Sequence, residues 1–489
     1  MKNNSVIKPL ILIFTVALFL AFVYDISTGS VCTYSFAFLV ICTLIITVTF
    51  RDHLPNTAVF YTMLAGFFVK LAYVIYTPVW CRQHDVVDFG AGEGHAAYME
   101  YILAHKALPD FDPRTVWAFF QPPLHHMICA VWMWINIRLG VAEEHMHKNV
   151  QILPLLYMCL LMFFVYLICR LIGMNNGGTL VTMLIVSFHP IYILMSGSIN
   201  NDALSVLLTV IAVYAAIAWF MYPTTGKILL LALFIGLAMS AKLSAALIAP
   251  PVAVMMFYKI RRDTGKFKDK TKMISYILEL VAFAVVVFPL GLWWTVRNKL
   301  LFDMPANYIP EVGEQVSKSG FVPTILDVRT ASPFLYMKAN GFPYDEYNLI
   351  LATLKSALFG EGDFANISPL VTCAGWVLLL FAALISVLCI IATVRSCMSS
   401  STECDPGIKV FLCAVVITFV AGYIAFALTG GNLSAMDFRY SAAAVSVFAI
   451  FAGLWYDLTG PSARKVILAT TIVFAASSAV FYTMLGLLQ

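Results

Sequence analysis

The chain has 489 residues, 61% of them hydrophobic and only 11% charged, with a mean hydropathy of +0.88. A soluble domain carries roughly 25% charged residues, so this composition excludes one and indicates a polytopic membrane protein. The net charge of +4 says little, because in such a protein the placement of charge matters more than its sum. No nucleic-acid partner is expected.

In chain order, apolar runs of about 17–25 residues mark membrane spans. They fall at about 9–24, 33–50, 57–76, 150–170, 178–195, 203–221, 228–240, 242–258, 273–294, 368–394, 409–428, 438–456 and 466–487. The first run, Ile7 to Val23, reads as a span rather than a signal peptide because Thr33 to Phe50 and Thr57 to Tyr76 follow at once. The short runs 228–240 and 242–258 are either two helices or one helix kinked at Lys242. The expected fold is therefore all-α and polytopic, with about 13 transmembrane helices. Its parts are N-terminal spans 1–76, a first large loop 77–149, a transmembrane core 150–294, a second large loop 295–367 and C-terminal spans 368–489.

Basic residues orient the bundle. Lys259, Arg261, Arg262, Lys266, Lys268, Lys270 and Lys272 form the densest cluster, which assigns that loop to the cytoplasm. Lys2, Lys8, Arg51, Arg170, Lys227, Arg395, Lys409, Arg464 and Lys465 lie on the same side only if Pro122 to Leu139 does not cross. That stretch contains Trp132, Trp134 and Arg138, as expected of a helix at the lipid–water boundary. Both large loops and the short loop around Asp202 then share the external face.

Seven of the nine histidines fall between His84 and His147, in the first large loop. Arg82-Gln83-His84-Asp85-Val86-Val87-Asp88 opens that loop. Carboxylates beside a hydrophobic span are costly, and they point to function. Asp85 is suited to take a proton from an attacking hydroxyl; the bland alternative is a solvated loop residue beside Arg82. Asp202, in Ser198-Ile199-Asn200-Asn201-Asp202, stands at the outer end of an apolar span. There it can also serve as a helix-terminal acid. Lys242, Arg297 and Arg439 are the external cations available to a phosphate. Arg439 could equally anchor the span or pair with Asp437, and Arg297 could mark the aromatic belt. Glu93 and His95 could orient an acceptor. His84, Asp85, Asp88 and His95 together could hold a divalent metal ion, although their spacing matches no metal motif. Gln121-Pro122-Pro123 suits a helix start, followed by His125 and His126. Cys81 and Cys129 share the loop and could pair; the remaining cysteines are scattered.

The order of these pieces resembles the GT-C superfamily of membrane glycosyltransferases, and most closely its protein O-mannosyltransferase and aminoarabinose-transferase-like branch. His84-Asp85 is similar to the family's acidic motif in the first loop. Gln121-Pro122-Pro123-Leu124-His125-His126 resembles its aromatic–x–Pro-Pro-Leu stretch, and Asp202 its second acidic position. Ala241-Lys242-Leu243-Ser244, Trp293-Trp294-Thr295-Val296-Arg297-Asn298 and Asp437-Phe438-Arg439-Tyr440 resemble later landmarks. Two departures stand out. Asp85 is followed by Val86 where many relatives have Glu, so Glu93 or Asp88 would have to substitute. No extramembrane C-terminal domain is evident, unlike the oligosaccharyltransferase branch, which speaks against transfer of a preassembled oligosaccharide.

The resemblance implies transfer of a sugar from a polyprenyl-phosphate donor, with inversion, to an acceptor hydroxyl on a protein, a lipid or a cell-surface polymer. The expected location is the cell membrane, with the site on its external face among membrane lipids. It implies Asp85 as general base and Lys242, Arg297 and Arg439 as the phosphate-binding set. Asp202, His84, Asp88, Glu93, His95, Gln121 and His125 would shape the acceptor side. The rival readings are a multi-pass transporter or lipid flippase, and a non-catalytic subunit of a polymer-assembly system. A transporter would carry charges near mid-membrane and broken helices in paired repeats, whereas here the acids gather at span ends.

Overall fold

The computed structural model describes residues 56–82, 86–306, 308–310, 349–360, 367–399, 404–429 and 433–488. All regular structure among them is helical. Expected spans 9–24 and 33–50, residues His84 and Asp85, and most of the loop 295–367 lie outside the described residues.

Every expected span from 57–76 onward overlaps helical structure, with breaks at His189 and Lys242. The first is α1 (Thr57–Tyr76), which leads into the first loop. That loop holds α2 (Gly94–His105), α3 (Leu124–Arg138) and α4 (Glu143–Asn149). The core follows as α5 (Ile152–Leu171), α6 (Asn176–Phe188), α7 (Pro190–Gly197), α8 (Asp202–Met221) and α9 (Thr225–Ala241). A 3-10 turn, Leu243–Ile248, leads into α10 (Ala249–Asp263) and the long α11 (Lys270–Phe302). Last come α12 (Leu349–Phe359), α13 (Pro369–Met398), α14 (Pro406–Thr429), α15 (Ala442–Leu458) and α16 (Pro461–Leu488). Among the described residues nine helical stretches are long and apolar enough to span a bilayer, or ten counting α6 with α7 as one bent span.

The expected span 178–195 is broken. Pro190 cannot donate a backbone hydrogen bond, and α6 and α7 meet at 46° around His189. The pair 228–240 and 242–258 is also resolved: Lys242 is extended (φ −155°, ψ 125°), so the chain leaves one helix before entering the next.

At the centre lies α8, apolar on every face and buried along nearly its whole length, as a helix enclosed by others must be. Close approach elsewhere depends on small residues. A Cβ on Gly178 would lie 2.6 Å from Gly453 O, so α6 and α15 nearly touch backbones there. Thr182 Oγ1 donates to Ala449 O across that contact at 3.1 Å. Asp457, at the end of α15, accepts from the N–H groups of Asn175 and Gly178 at 2.9 and 3.1 Å and so caps α6 from a neighbouring helix.

The two ends of α8 differ chemically. At its C-terminal end Lys259 pairs with Asp263 at 2.9 Å and Arg262 with Asp405 at 2.8 Å. Tyr276 Oη donates to Asp263 at 2.7 Å, and Arg262 lies 4.7 Å from the Phe220 ring centre. This is the basic end of the bundle. At the other end, about 30 Å away for 20 helical residues, Asp202 meets Lys242 and Arg439.

The first loop leaves and returns on the Asp202 side. Lys148, in α4, donates to Val74 O, Thr77 O and Gln151 Oε1 at 2.5–2.7 Å, which ties the loop's end to the end of α1. The stretch 122–139 therefore does not cross. Its 15-residue helix α3 turns His125, His126, Cys129 and Met133 inward. Met127, Val131, Trp134 and Ile137 stay exposed along the opposite face, the arrangement expected of a helix lying in an interface.

Candidate active site

Three helix breaks build the site. The first is at the start of α8, where Asn200 Oδ1 accepts from the Asp202 N–H at 3.1 Å. This leaves the Asp202 carboxylate free to point away from its own helix. The second is the extended Lys242, whose ammonium donates to Asp202 Oδ1. The third is the turn Phe438–Ser441, capped by Asp437 Oδ1, which accepts from Arg439 N–H at 2.9 Å. It presents the Arg439 guanidinium to Asp202 Oδ2 at 3.6 Å. Asp202, Lys242 and Arg439 are each less than 10% exposed.

Tyr440 joins the two cations. Its ring centre lies 4.7 Å from Lys242 Nζ and 4.8 Å from the Arg439 guanidinium, and its Oη accepts from Arg439 Nη2 at 2.8 Å. An aromatic face stabilises a desolvated cation. Asn201 donates to Ala241 O at 2.7 Å and to Gln121 Oε1 at 3.4 Å, linking the start of α8 to the end of α9 and to the first loop. Trp294 Nε1 donates to Phe120 O at 3.0 Å, so α11 closes the far wall.

The cavity between these walls measures about 440 Å³. Asp202, Lys242, Arg439, His95, Gln121 and Asn201 supply its polar wall. Trp117, Phe120, Tyr308, Leu243, Leu247 and Phe426 make the rest apolar, the usual composition of a small-molecule site. A smaller cavity of about 50 Å³ lies on the other side of Asp202 and Arg439, lined also by Arg82, Ser198, Asn200, Ser356 and Asp437.

The sequence-derived candidates divide as follows. Asp202, Lys242, Arg439, His95 and Gln121 meet at one cavity. Arg297 does not line it: its guanidinium donates to Pro109 O and to Asn298 Oδ1 and lies 4.9 Å from the Trp294 ring centre. It fastens α11 to the first loop instead of facing a phosphate. Glu93 and Asp88 are exposed and away from the cavity; Asp88 Oδ1 accepts from the N–H of Phe89 next to it. Glu93 precedes Gly94, whose φ of +81° and position 2.5 Å (for an added Cβ) from Val86 O demand glycine. His84 and Asp85 lie outside the described residues, but Arg82 before them lines the smaller cavity. On the other side of that gap, Val86 O accepts from Ala96 N–H at 3.2 Å, one residue from His95.

Three of the loop histidines, His95, His125 and His126, are buried and do not belong to the wet cluster that their concentration suggests. His95 Nδ1 and His126 Nε2 share a hydrogen bond at 2.8 Å, with the rings stacked, and Tyr98 stacks on His126. His125 Nε2 hydrogen-bonds Ile199 O at 2.8 Å, behind the cavity wall. Burial holds the His125 pKa down at about 4 and that of His126 well below the usual imidazole range. Cys129 is buried near His125, and both it and Cys81 are free thiols, so the pairing considered above does not form. Among the described residues no group of three His, Cys, Asp or Glu side chains is placed to hold a metal; two members of the suggested set lie outside them. Tyr440 and Asn201 were not singled out in the sequence. The aromatic residue directly after Arg439 was the available signal.

The family model described as dolichyl-phosphate-mannose-protein mannosyltransferase matches residues 122–293. No curated protein sequence matches the chain. Among solved structures, ArnT from Cupriavidus metallidurans bound to undecaprenyl phosphate superposes with a TM-score of 0.50 at 13% identity. That match covers 86% of this chain and 76% of ArnT. The apo state of the same protein gives a TM-score of 0.50 at 15% identity, over 85% and 75%. The oligosaccharyltransferase of Archaeoglobus fulgidus gives 0.48 at 13% identity, over 86% of this chain and 56% of its own. The resemblance to the GT-C superfamily of membrane glycosyltransferases thus holds in sequence over residues 122–293 and in fold over most of the chain.

Proposed function

We propose that the protein is a glycosyltransferase that moves a sugar from a polyprenyl-phosphate carrier to an acceptor hydroxyl on the extracytoplasmic side of the membrane. The observation that carries this reading is the pair of buried cations, Lys242 and Arg439, aimed into a mostly apolar cavity at one end of the bundle. Buried cations are retained where they meet an anion, and a lipid phosphate brings both the anion and an apolar tail. ArnT, which shares the fold, was solved with undecaprenyl phosphate.

In the proposed reaction the acceptor oxygen attacks the anomeric carbon from the side opposite the phosphate, which inverts it. The bond from carbon to phosphate oxygen breaks, and its electron pair leaves on the carrier as a phosphomonoester. Lys242 and Arg439 stabilise the charge that develops there. The proton of the acceptor goes to Asp85, the general base. The acceptor is a hydroxyl of a protein, a lipid or a cell-surface polymer.

Purified protein in lipid nanodiscs, supplied with a polyprenyl-phosphate sugar, should release polyprenyl phosphate and give a glycosylated product of inverted configuration. Asp85→Asn should lower turnover by about 10²–10⁴-fold; full turnover would remove Asp85 from the mechanism. Chelation with EDTA separates a metal-assisted route through Asp85, Asp88, His84 and His95 from one carried by Lys242 and Arg439, which predicts unchanged turnover.

A further inference from the structure

The apolar lining of the cavity is of two kinds. Leu243, Leu247 and Phe426 belong to stretches long and apolar enough to span a bilayer, Leu243–Asp263 and Pro406–Thr429. Trp117, Phe120 and Tyr308 belong to the two large loops, outside the spans. These loop residues are all aromatic and half-buried. The ring centres of Phe120 and Tyr308 lie 5.6 Å apart and those of Trp117 and Phe120 6.1 Å, each pair edge to face.

The backbone is bent to make this aromatic wall. Ala118 has a φ of +70°, a left-handed conformation that is unfavourable for an L-residue. It sits in two overlapping turns, in which Val116 O accepts from Phe119 N–H at 3.3 Å and Ala118 O from Gln121 N–H at 3.1 Å. Phe119 goes into the interior, its ring centre 4.5 Å from that of Tyr98, while Trp117 and Phe120 on either side of it line the cavity. Trp117 O accepts from Gly94 N–H at 3.2 Å and Phe120 O from Trp294 Nε1 at 3.0 Å, so the turn is anchored at both rings. A strained turn held in this way presents its two rings already in place, which lowers the ordering cost of binding against them.

We propose that this aromatic wall is the sugar subsite, and that Trp117 is its specificity-determining residue, stacking on one C–H face of a pyranose ring. This rests on the glycosyl-carrier reading. A carrier has three parts in fixed order: apolar tail, phosphate and sugar. With the tail along the spanning wall and the phosphate at Lys242 and Arg439, the sugar is left to the loops. A pyranose has C–H bonds over its faces and hydroxyls around its rim, and an aromatic ring is a surface that covers such a face. The rim meets polar groups beside it. Gln121, next to Phe120, gives its oxygen to Asn201 and keeps its amide N–H groups for a hydroxyl. Covering one face removes on the order of 50 Å² of C–H surface from water, worth about tenfold in affinity.

The test is equilibrium binding of short soluble probes to the full-length protein in nanodiscs. The probes are the mannosyl, glucosyl and galactosyl diesters of farnesyl phosphate, with the methyl diester as a control of equal charge and no ring. For the wild type, at least one glycosyl probe should bind about tenfold tighter than the methyl diester. Trp117→Leu should abolish that gain and leave the methyl diester within about twofold of wild type. Trp117→Phe, which keeps a smaller ring, should retain part of it. A measurement on the wild type alone accompanies these. In saturation-transfer NMR with the aromatic protons irradiated, the ring C–H protons of one sugar face should receive more saturation than those of the other.

Wild-type protein that binds the methyl diester as tightly as every glycosyl probe overturns the proposal and leaves the carrier reading intact. So does a Trp117→Leu variant that weakens all probes equally, as a purely structural role would, or one that changes none, as a wall serving only the acceptor would. Saturation spread evenly over the sugar, or confined to the farnesyl chain, overturns it without any variant. Wild-type protein that binds no probe overturns both readings.

Discussion

Replacing Lys242 with methionine removes one of two buried cations while nearly preserving side-chain volume. Lys242 is 9% exposed, donates to Asp202 and sits 4.7 Å from the Tyr440 ring centre. Its loss has two separable effects. The first falls on the fold. Breaking a buried ion pair costs roughly 3–5 kcal/mol when a charge is left uncompensated. Here Asp202 keeps Arg439 at 3.6 Å, so the cost should fall below that range. The second falls on chemistry. A preorganised group aimed at charge that develops in the transition state is worth about 10²–10³ in kcat, or roughly 2.7–4 kcal/mol. The assay is turnover of a polyprenyl-phosphate sugar by nanodisc-reconstituted Lys242→Met, with thermal unfolding measured alongside. The expected result is a folded protein with kcat reduced at least a hundredfold. Lys242→Arg should recover part of the loss because the charge remains, and its remaining deficit reports how far geometry matters. A folded Lys242→Met variant with kcat/KM within about threefold of wild type would refute the assignment, since that corresponds to less than about 0.7 kcal/mol of transition-state stabilisation.

The first loop should respond to acid through His125. Its folded pKa of about 4 lies below the unfolded value near 6.5, so the unfolded state binds the proton first. Stability from His125 is complete above pH 6.5 and falls by up to about 3 kcal/mol as pH drops towards 4; thermal unfolding across that range should show the slope, and His125→Gln should reduce it, the remaining slope belonging to His126, whose pKa burial also lowers. In intact cells an impermeant maleimide should label Asp110→Cys and leave Lys268→Cys untouched, since Asp110 belongs to the first loop and Lys268 to the basic end; the reverse pattern would invert the orientation. Gly178→Ala places a methyl 2.6 Å from Gly453 O and should destabilise the protein by about 1–3 kcal/mol, seen as a lower melting temperature with unchanged KM. Arg297→Met should loosen α11 from the first loop and sensitise that loop to proteolysis, with a smaller loss of kcat than Lys242→Met.

The spans were legible because a bilayer demands long apolar runs, and those runs survive any tertiary arrangement. The basic cluster between Lys259 and Lys272 was legible as belonging to the end of the bundle opposite Asp202. Breaks within spans were harder. The run through His189-Pro190 is apolar enough to read as one helix, and only the missing N–H of Pro190 marks the bend. Helix α12 is not legible as a span because its eleven residues, with Thr353, Lys355 and Ser356 among them, are too few and too polar to cross, so Leu349–Phe359 reads as part of the second large loop. At the site, charges within apolar surroundings announced themselves, and Asp202, Lys242 and Arg439 do converge. Arg297 looked equivalent by sequence. What separates it is the carbonyl of Pro109, nearly two hundred residues away, which no local pattern reveals. The histidines misled for a related reason: residue type suggested solvent, but α3 turns His125 and His126 towards α2 and the cavity wall and leaves its apolar face outward.

The most direct test is a structure of the protein with a polyprenyl-phosphate sugar or a non-hydrolysable analogue bound. The account predicts phosphate density within hydrogen-bonding reach of Lys242 Nζ and the Arg439 guanidinium, roughly 2.7–3.2 Å, with the polyprenyl tail along Leu243, Leu247 and Phe426. Density for the phosphate at the basic end, beside Lys259 and Arg262, or at any site that leaves the pairing of Lys242 and Arg439 with Asp202 undisturbed, would contradict it.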